Sequence, residues 1–178
     1  MTKYFEIFEY NLDKMSYGIN SNQHILQLNY AYIISCMETY LSTAMWGTLE
    51  KYPQYYNNLA KGINNSAKLS TIFNIGVPTF IKQELKNLQY HNLPQVKIHY
   101  KNTFDINFKQ DIGDILRAVG IRHNIVHRCG FSQNGIETNI TFDNVNRLTE
   151  DIVNFISDID LQLNTKIIKG DICTDFIE

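Results

Sequence analysis

A chain of 178 residues, 44% hydrophobic and 19% charged with 3 prolines, is long enough to bury a sizeable core. That profile excludes disorder and argues for a single domain over residues 1–178. A net charge of −2 excludes a protein that coats nucleic acid through bulk basic excess, so any anion site must be local.

No run approaches the roughly 18 apolar residues of a membrane span. Lys3, Glu6 and Glu9 sit where a signal peptide would be apolar. Cys36, Cys129 and Cys173 form no C-x-x-C pair, so neither a disulfide framework nor a zinc site is signalled. A cytoplasmic protein with reduced thiols and no membrane contact is expected. In chain order, Thr2 caps a short helix carrying Phe5, Phe8, Leu12 and Met15 at helical spacing, which Gly18 ends. From Ser21, the stripe Ile25, Leu28, Tyr32, Cys36, Tyr40 runs beside Leu26, Ile33, Met37, Leu41, Met45. Together they predict a long, widely buried helix that Pro53 stops. Glu38 falls inside these stripes, where an unpaired carboxylate is costly, and it therefore requires a cationic partner.

Residues 55–74 carry Asn-Asn pairs and Gly62 and predict a broken helix or loop; Pro78 to Leu88 predicts a helix. Between Gln89 and Phe108, Pro94 and the alternation of Val96, Ile98 and Tyr100 predict an irregular connection. Asp111 opens a further helix whose core face is Ile112, Ile115, Leu116, Val119, Ile125 and Val126, ending near Gly130. A loop with a turn at Asn134-Gly135 follows. Thr141 or Asp143 caps the last helix, with Val145, Leu148, Ile152, Phe155, Ile159 and Leu163 recurring at three and four residues. The expected fold is all-α, an up-and-down bundle of four to five helices.

Reactive side chains concentrate in one place. Three of the four arginines, Arg117, Arg122 and Arg128, share a twelve-residue window with His123 and His127. A guanidinium neutralises a phosphate and its pentacoordinate transition state, and an imidazole relays a proton near neutral pH. RNA brings its own nucleophile, the 2′-hydroxyl, so such a set suffices for ribonuclease chemistry with neither metal nor cofactor. Asn124, Arg128 and Arg117 are the candidates for holding RNA. His123 and His127 stand one turn apart, as in a helical metal pair, but no distinct third ligand joins them and Cys129. The structural alternative is a helix-end cap, in which basic side chains answer the last turn's dipole. His24, His91 and His99 stand isolated.

Five helical steps of about 100° leave Arg122 and His127 roughly 140° apart. Either the helix loosens before Gly130 or a second chain completes the site. Glu38 is the candidate to tether Arg122. From Asp143 to Glu178, eight carboxylates face only Arg147, Lys166 and Lys169, an acidic face suited to a partner.

The run from Ile121 through Arg122-His123-Asn124-Ile125-Val126-His127-Arg128-Cys129-Gly130 resembles the HEPN superfamily, specifically its RiboL-PSP-like branch. The branch carries R-x4-6-H with a polar residue after the arginine, in an R-H-(N/D)-I-V-H-R-x-G signature. An acidic residue at Glu38 and the capped helix from Thr141 extend the likeness. It implies an all-α bundle that pairs as a homodimer with a composite ribonuclease site of Arg122, His127, His123 and Glu38. It further implies metal-independent cleavage leaving 2′,3′-cyclic phosphate and 5′-hydroxyl ends, in toxin-antitoxin or anti-phage defence beside an ATPase, nucleotidyltransferase or antitoxin. The competing expectation is a catalytically silent HEPN module that dimerises or binds a nucleotide or partner.

Overall fold

The computed structural model describes residues 1–15, 22–62, 74–108 and 111–168, and these form an all-helical bundle. Gly18, Ser21, Cys173, residues 63–73 of the expected broken segment and the acidic residues past 168 lie outside the described residues. The α-helices, in order, are α1 (Lys3–Asp13), α2 (Gln23–Lys51), α3 (Tyr56–Gly62), α4 (Val77–Asn87), α5 (Leu93–Phe104), α6 (Gly113–His127) and α7 (Phe142–Leu163). Where four to five helices are expected, seven stand among the described residues. None of the described helices is long and apolar enough to cross a membrane.

The caps act where the sequence places them. The Thr2 hydroxyl accepts from the Phe5 N–H, and Thr141 and Asn144 close a reciprocal capping box that starts α7. Pro53 ends α2, and a 3₁₀ turn, Pro53–Tyr55, leads into α3.

Helix α2 is the hub, against which α1, α6 and α7 pack, while α3 gathers α4 and α5 into a second group. The two groups are tied by the Tyr100 hydroxyl of α5, which donates to the Leu41 carbonyl of α2 at 2.7 Å. The core runs through Phe5 and Phe8 of α1, Ile33, Met37, Tyr40 and Leu41 of α2 and Ile152, Phe155, Ile156 and Ile159 of α7, all but sealed from water. Each such side chain contributes about 2–3 kcal/mol by leaving water. Buried within it, Asp160 accepts from the Thr2 N–H at 2.9 Å, from the Thr2 hydroxyl and from the Tyr40 hydroxyl at 2.9 Å. Burial raises the Tyr40 pKa well above the ordinary phenol range, so the ring donates as a neutral phenol.

Three expectations are corrected. Residues 93–104 form a helix, not an irregular connection. Pro94 sits in its first turn, and the buried set Leu93, Val96, Tyr100, Phe104 follows a helical period. Ile98, the middle of the apparent alternation, is exposed. Along α2, Leu28 (65% exposed) and Tyr32 face outward while Gln27 and Tyr30 are buried, because no described element covers that flank of the helix. Finally, α6 buries only Ile115 and Ala118; Ile112, Val119 and Ile125 are half-covered, and Leu116 and Val126 are exposed.

Candidate active site at the end of α6

Helix α6 stays regular through His127, and the next N–H, that of Arg128, still donates to the Asn124 carbonyl at 3.0 Å. The loosened-helix route to a one-chain site is therefore not taken. Arg122 and His127 keep their divergence around the axis. The chain then reverses sharply. Cys129 (φ 50°) and Gly130 (φ 89°) are both left-handed, and the Gly130 N–H returns to the Asn124 carbonyl at 3.0 Å.

Gly130 is required twice over. Beyond its φ, a Cβ there would stand 2.8 Å from the Gln27 amide nitrogen of α2. Gln27 and Gln23 in turn donate to the Thr138 carbonyl at 2.9 and 3.2 Å, and the Thr138 N–H donates to the Gly130 carbonyl at 2.7 Å. The loop after α6 is so pinned to the start of α2. A single antiparallel bridge, Phe131 to Glu137, closes it around the expected Gly135 turn (φ 73°).

On this frame the His123 and His127 rings, both exposed, lie 4.7 Å apart by centroid at a 47° tilt. Partial dehydration lowers the His123 pKa below the ordinary imidazole value, and the neighbouring charges of Arg128, His127, Arg122 and His91 lower it further. At neutral pH that ring is poised to accept a proton. Arg122 is half-buried, and its Nε is out of water with no hydrogen-bond partner among the described residues. Such a donor is costly to leave unsatisfied.

The remaining candidates separate. Arg128 donates to the Asn124 side-chain oxygen at 2.8 Å, so these two form one unit beside the imidazoles. Arg117 pairs with Asp114 one turn back, and Arg147 of α7 reaches the same carboxylate at 3.9 Å. Arg117 is thus held away from the cluster that the sequence spacing suggested. Glu38 is half-buried, and its Oε1 lies 3.4 Å from His91 Nδ1, where Arg122 is the expected partner. The turn between α4 and α5 brings His91 against α2 first. His91, isolated in sequence, is the residue sequence reasoning missed; only the requirement that Glu38 find a cation pointed to it.

Exposed apolar groups occur on the same stretch of chain: Val126 (50% exposed) on α6, Phe131 and Ile136 (68% exposed) on the loop and Phe142 at the start of α7. Among the described residues, no group of three or more His, Cys, Asp or Glu side chains is arranged to hold a metal ion. No family model, no curated protein and no solved structure matches this chain.

Proposed function

We propose that this protein is a metal-independent RNA endonuclease of the HEPN type, acting as a homodimer. The observation that carries the reading is the regular end of α6, which sets a dehydrated Arg122 donor and two adjacent imidazoles, His123 and His127, in its last two turns. His123, neutral at working pH, takes the proton of a 2′-hydroxyl as that oxygen attacks phosphorus. Arg122 offsets the charge gathering on the phosphoryl oxygens. His127 gives a proton to the 5′-oxygen as the P–O5′ bond opens, leaving a 2′,3′-cyclic phosphate and a 5′-hydroxyl. Arg128 and Asn124 steady the RNA backbone beside them.

Arg122 and His127 diverge on one helix, so the productive site combines tips from two chains, with Val126, Phe131, Ile136 and Phe142 as the apolar surface that pairs them. An unrestrained ribonuclease harms its host, so the activity belongs to a toxin or anti-phage effector held in check by an antitoxin, ATPase or nucleotidyltransferase in the cytoplasm.

The test is cleavage of total RNA in EDTA by the wild type, Arg122→Ala and His127→Ala. We expect each substitution to lower the rate by about a hundredfold or more. No cleavage by the wild type under any condition, together with variants of unchanged effect on cell growth, overturns the enzyme and leaves a silent dimerisation module.

A further inference from the structure

Gly120 stands in the interior of α6, exposed, where nothing within the chain asks for a glycine. Its φ is not left-handed, and a Cβ built there would meet no atom within 4 Å. Glycine weakens a helix interior relative to ordinary side chains, so a bare position that neither backbone nor packing needs leaves room for something from outside. Seven helical steps return to the same line within about 20°. Gly120 therefore shares one row of the helix with His127, and Arg117 shares the adjoining row with Asn124. The Arg128 guanidinium lies over the end of that second row, donating to the Asn124 side-chain oxygen at 2.8 Å.

All four arginines of the chain gather along this helix. Arg117 and Arg122 lie within it, Arg128 follows it, and Arg147 crosses from α7 to within 3.9 Å of the Asp114 carboxylate that also pairs with Arg117. One carboxylate shared by two exposed guanidiniums leaves donors over. The other acid at that end, Asp111, accepts from the Gly113 N–H at 2.9 Å. No lysine lies within α6. That choice of cation matters, because a guanidinium fork matches a phosphate where an ammonium is only a point charge.

We propose that the outer face of α6 is a track for a single strand of RNA, with Gly120 as the point where the strand lies flush against the helix backbone. Arg117 and Arg147 take phosphate at one end and Arg128, seated on Asn124, takes it at the other. The row from Gly120 delivers the strand to His127. A second copy of the chain is the poorer occupant, since a two-fold contact along this face sets guanidiniums against guanidiniums. That the strand is RNA rests on the ribonuclease reading; the row of arginines and its bare centre do not.

Fluorescence anisotropy on the full-length protein tests this with a labelled 2′-O-methyl single strand, which keeps every phosphate but lacks the 2′-hydroxyl that cleavage needs. Gly120→Gln should bind it about tenfold more weakly. Its urea midpoint should rise, because a better helix former enters open space. Arg147→Gln should bind about threefold more weakly and flatten the log–log salt dependence by about 0.7, the loss of one phosphate contact. Lys82→Gln removes a cation from α4, which packs on α3, and should bind as wild type.

Wild-type affinity in Gly120→Gln overturns the proposal, and if self-association falls at the same time the occupant is a second copy. Weaker binding with a lowered urea midpoint also overturns it, since that reports a disturbed helix. Equal losses in Lys82→Gln and Arg147→Gln overturn it as well, because they report bulk charge and not a track. Should the variants behave as stated while wild type cleaves no RNA, the track is upheld and the ribonuclease reading is the one that falls. Should wild type cleave RNA while Gly120→Gln binds and cleaves like it, the ribonuclease stands and the track falls.

Discussion

Helices α6 and α7 both pack against α2, yet they use that contact in different ways. Helix α7 closes its accounts inside the molecule. Its apolar stripe is sealed, its one buried carboxylate receives three donors, and Gln162 satisfies both the N–H (3.0 Å) and the carbonyl (2.8 Å) of Asn107. Helix α6 leaves its accounts open. It buries two residues, exposes Val126 and Leu116, strands the Arg122 Nε and points two imidazoles at solvent. A helix of the first kind is explained by folding alone. In a helix of the second kind, apolar and cationic groups stay uncovered that the packing of the chain itself does not use.

The largest test of this contrast is Phe155→Ala in α7. Phe155 is 1% exposed and stacks edge-on with Phe108 at 5.0 Å between centroids. Its truncation should cost about 3–5 kcal/mol in urea unfolding; a loss below about 1 kcal/mol would mean that α7 is not the closed element described.

Gly130→Ala comes next, since it strains a left-handed backbone and drives a Cβ into the Gln27 amide. A cost of roughly 1–3 kcal/mol is expected. It should appear with faster hydrogen exchange at the Thr138 amide, which donates to Gly130, while amides in α7 keep their protection. Uniform loss of protection across both helices would show that the end of α6 is not separable from the core.

The smallest effect on stability belongs to Val126→Asp. The monomer should change by no more than about 0.5 kcal/mol because the side chain is already exposed. Self-association measured by sedimentation should nevertheless weaken. A variant that loses stability without losing association would place Val126 in the core and remove it from the pairing surface.

Much of this molecule is written locally. The period of Val145, Leu148, Ile152, Phe155, Ile159 and Leu163 names the buried face of α7 residue by residue, and Thr2, Thr141 and Pro53 mark helix ends because capping and proline geometry act within one turn. The positions of Arg122, His123 and His127 at a helix terminus before a glycine reversal are equally local, and so are readable from spacing. Residues 93–104 fall between two readings, since Val96 and Tyr100 satisfy both an alternation and a helical turn. The buried Leu93, three residues before Val96 and so aligned with it only by a period of three to four, and the exposed Ile98 decide for the helix.

Burial and pairing were not local. Whether Leu28, Tyr32, Leu116 and Val126 face core or solvent depends on which other helices reach them, and no stretch of sequence contains that information. Glu38 shows the division most clearly. Its place on an apolar stripe dictated a cationic partner, because a half-buried carboxylate must be compensated wherever it lies. Which side chain answered was decided by the α4–α5 turn closing over α2, and that turn brought His91 to the carboxylate ahead of Arg122.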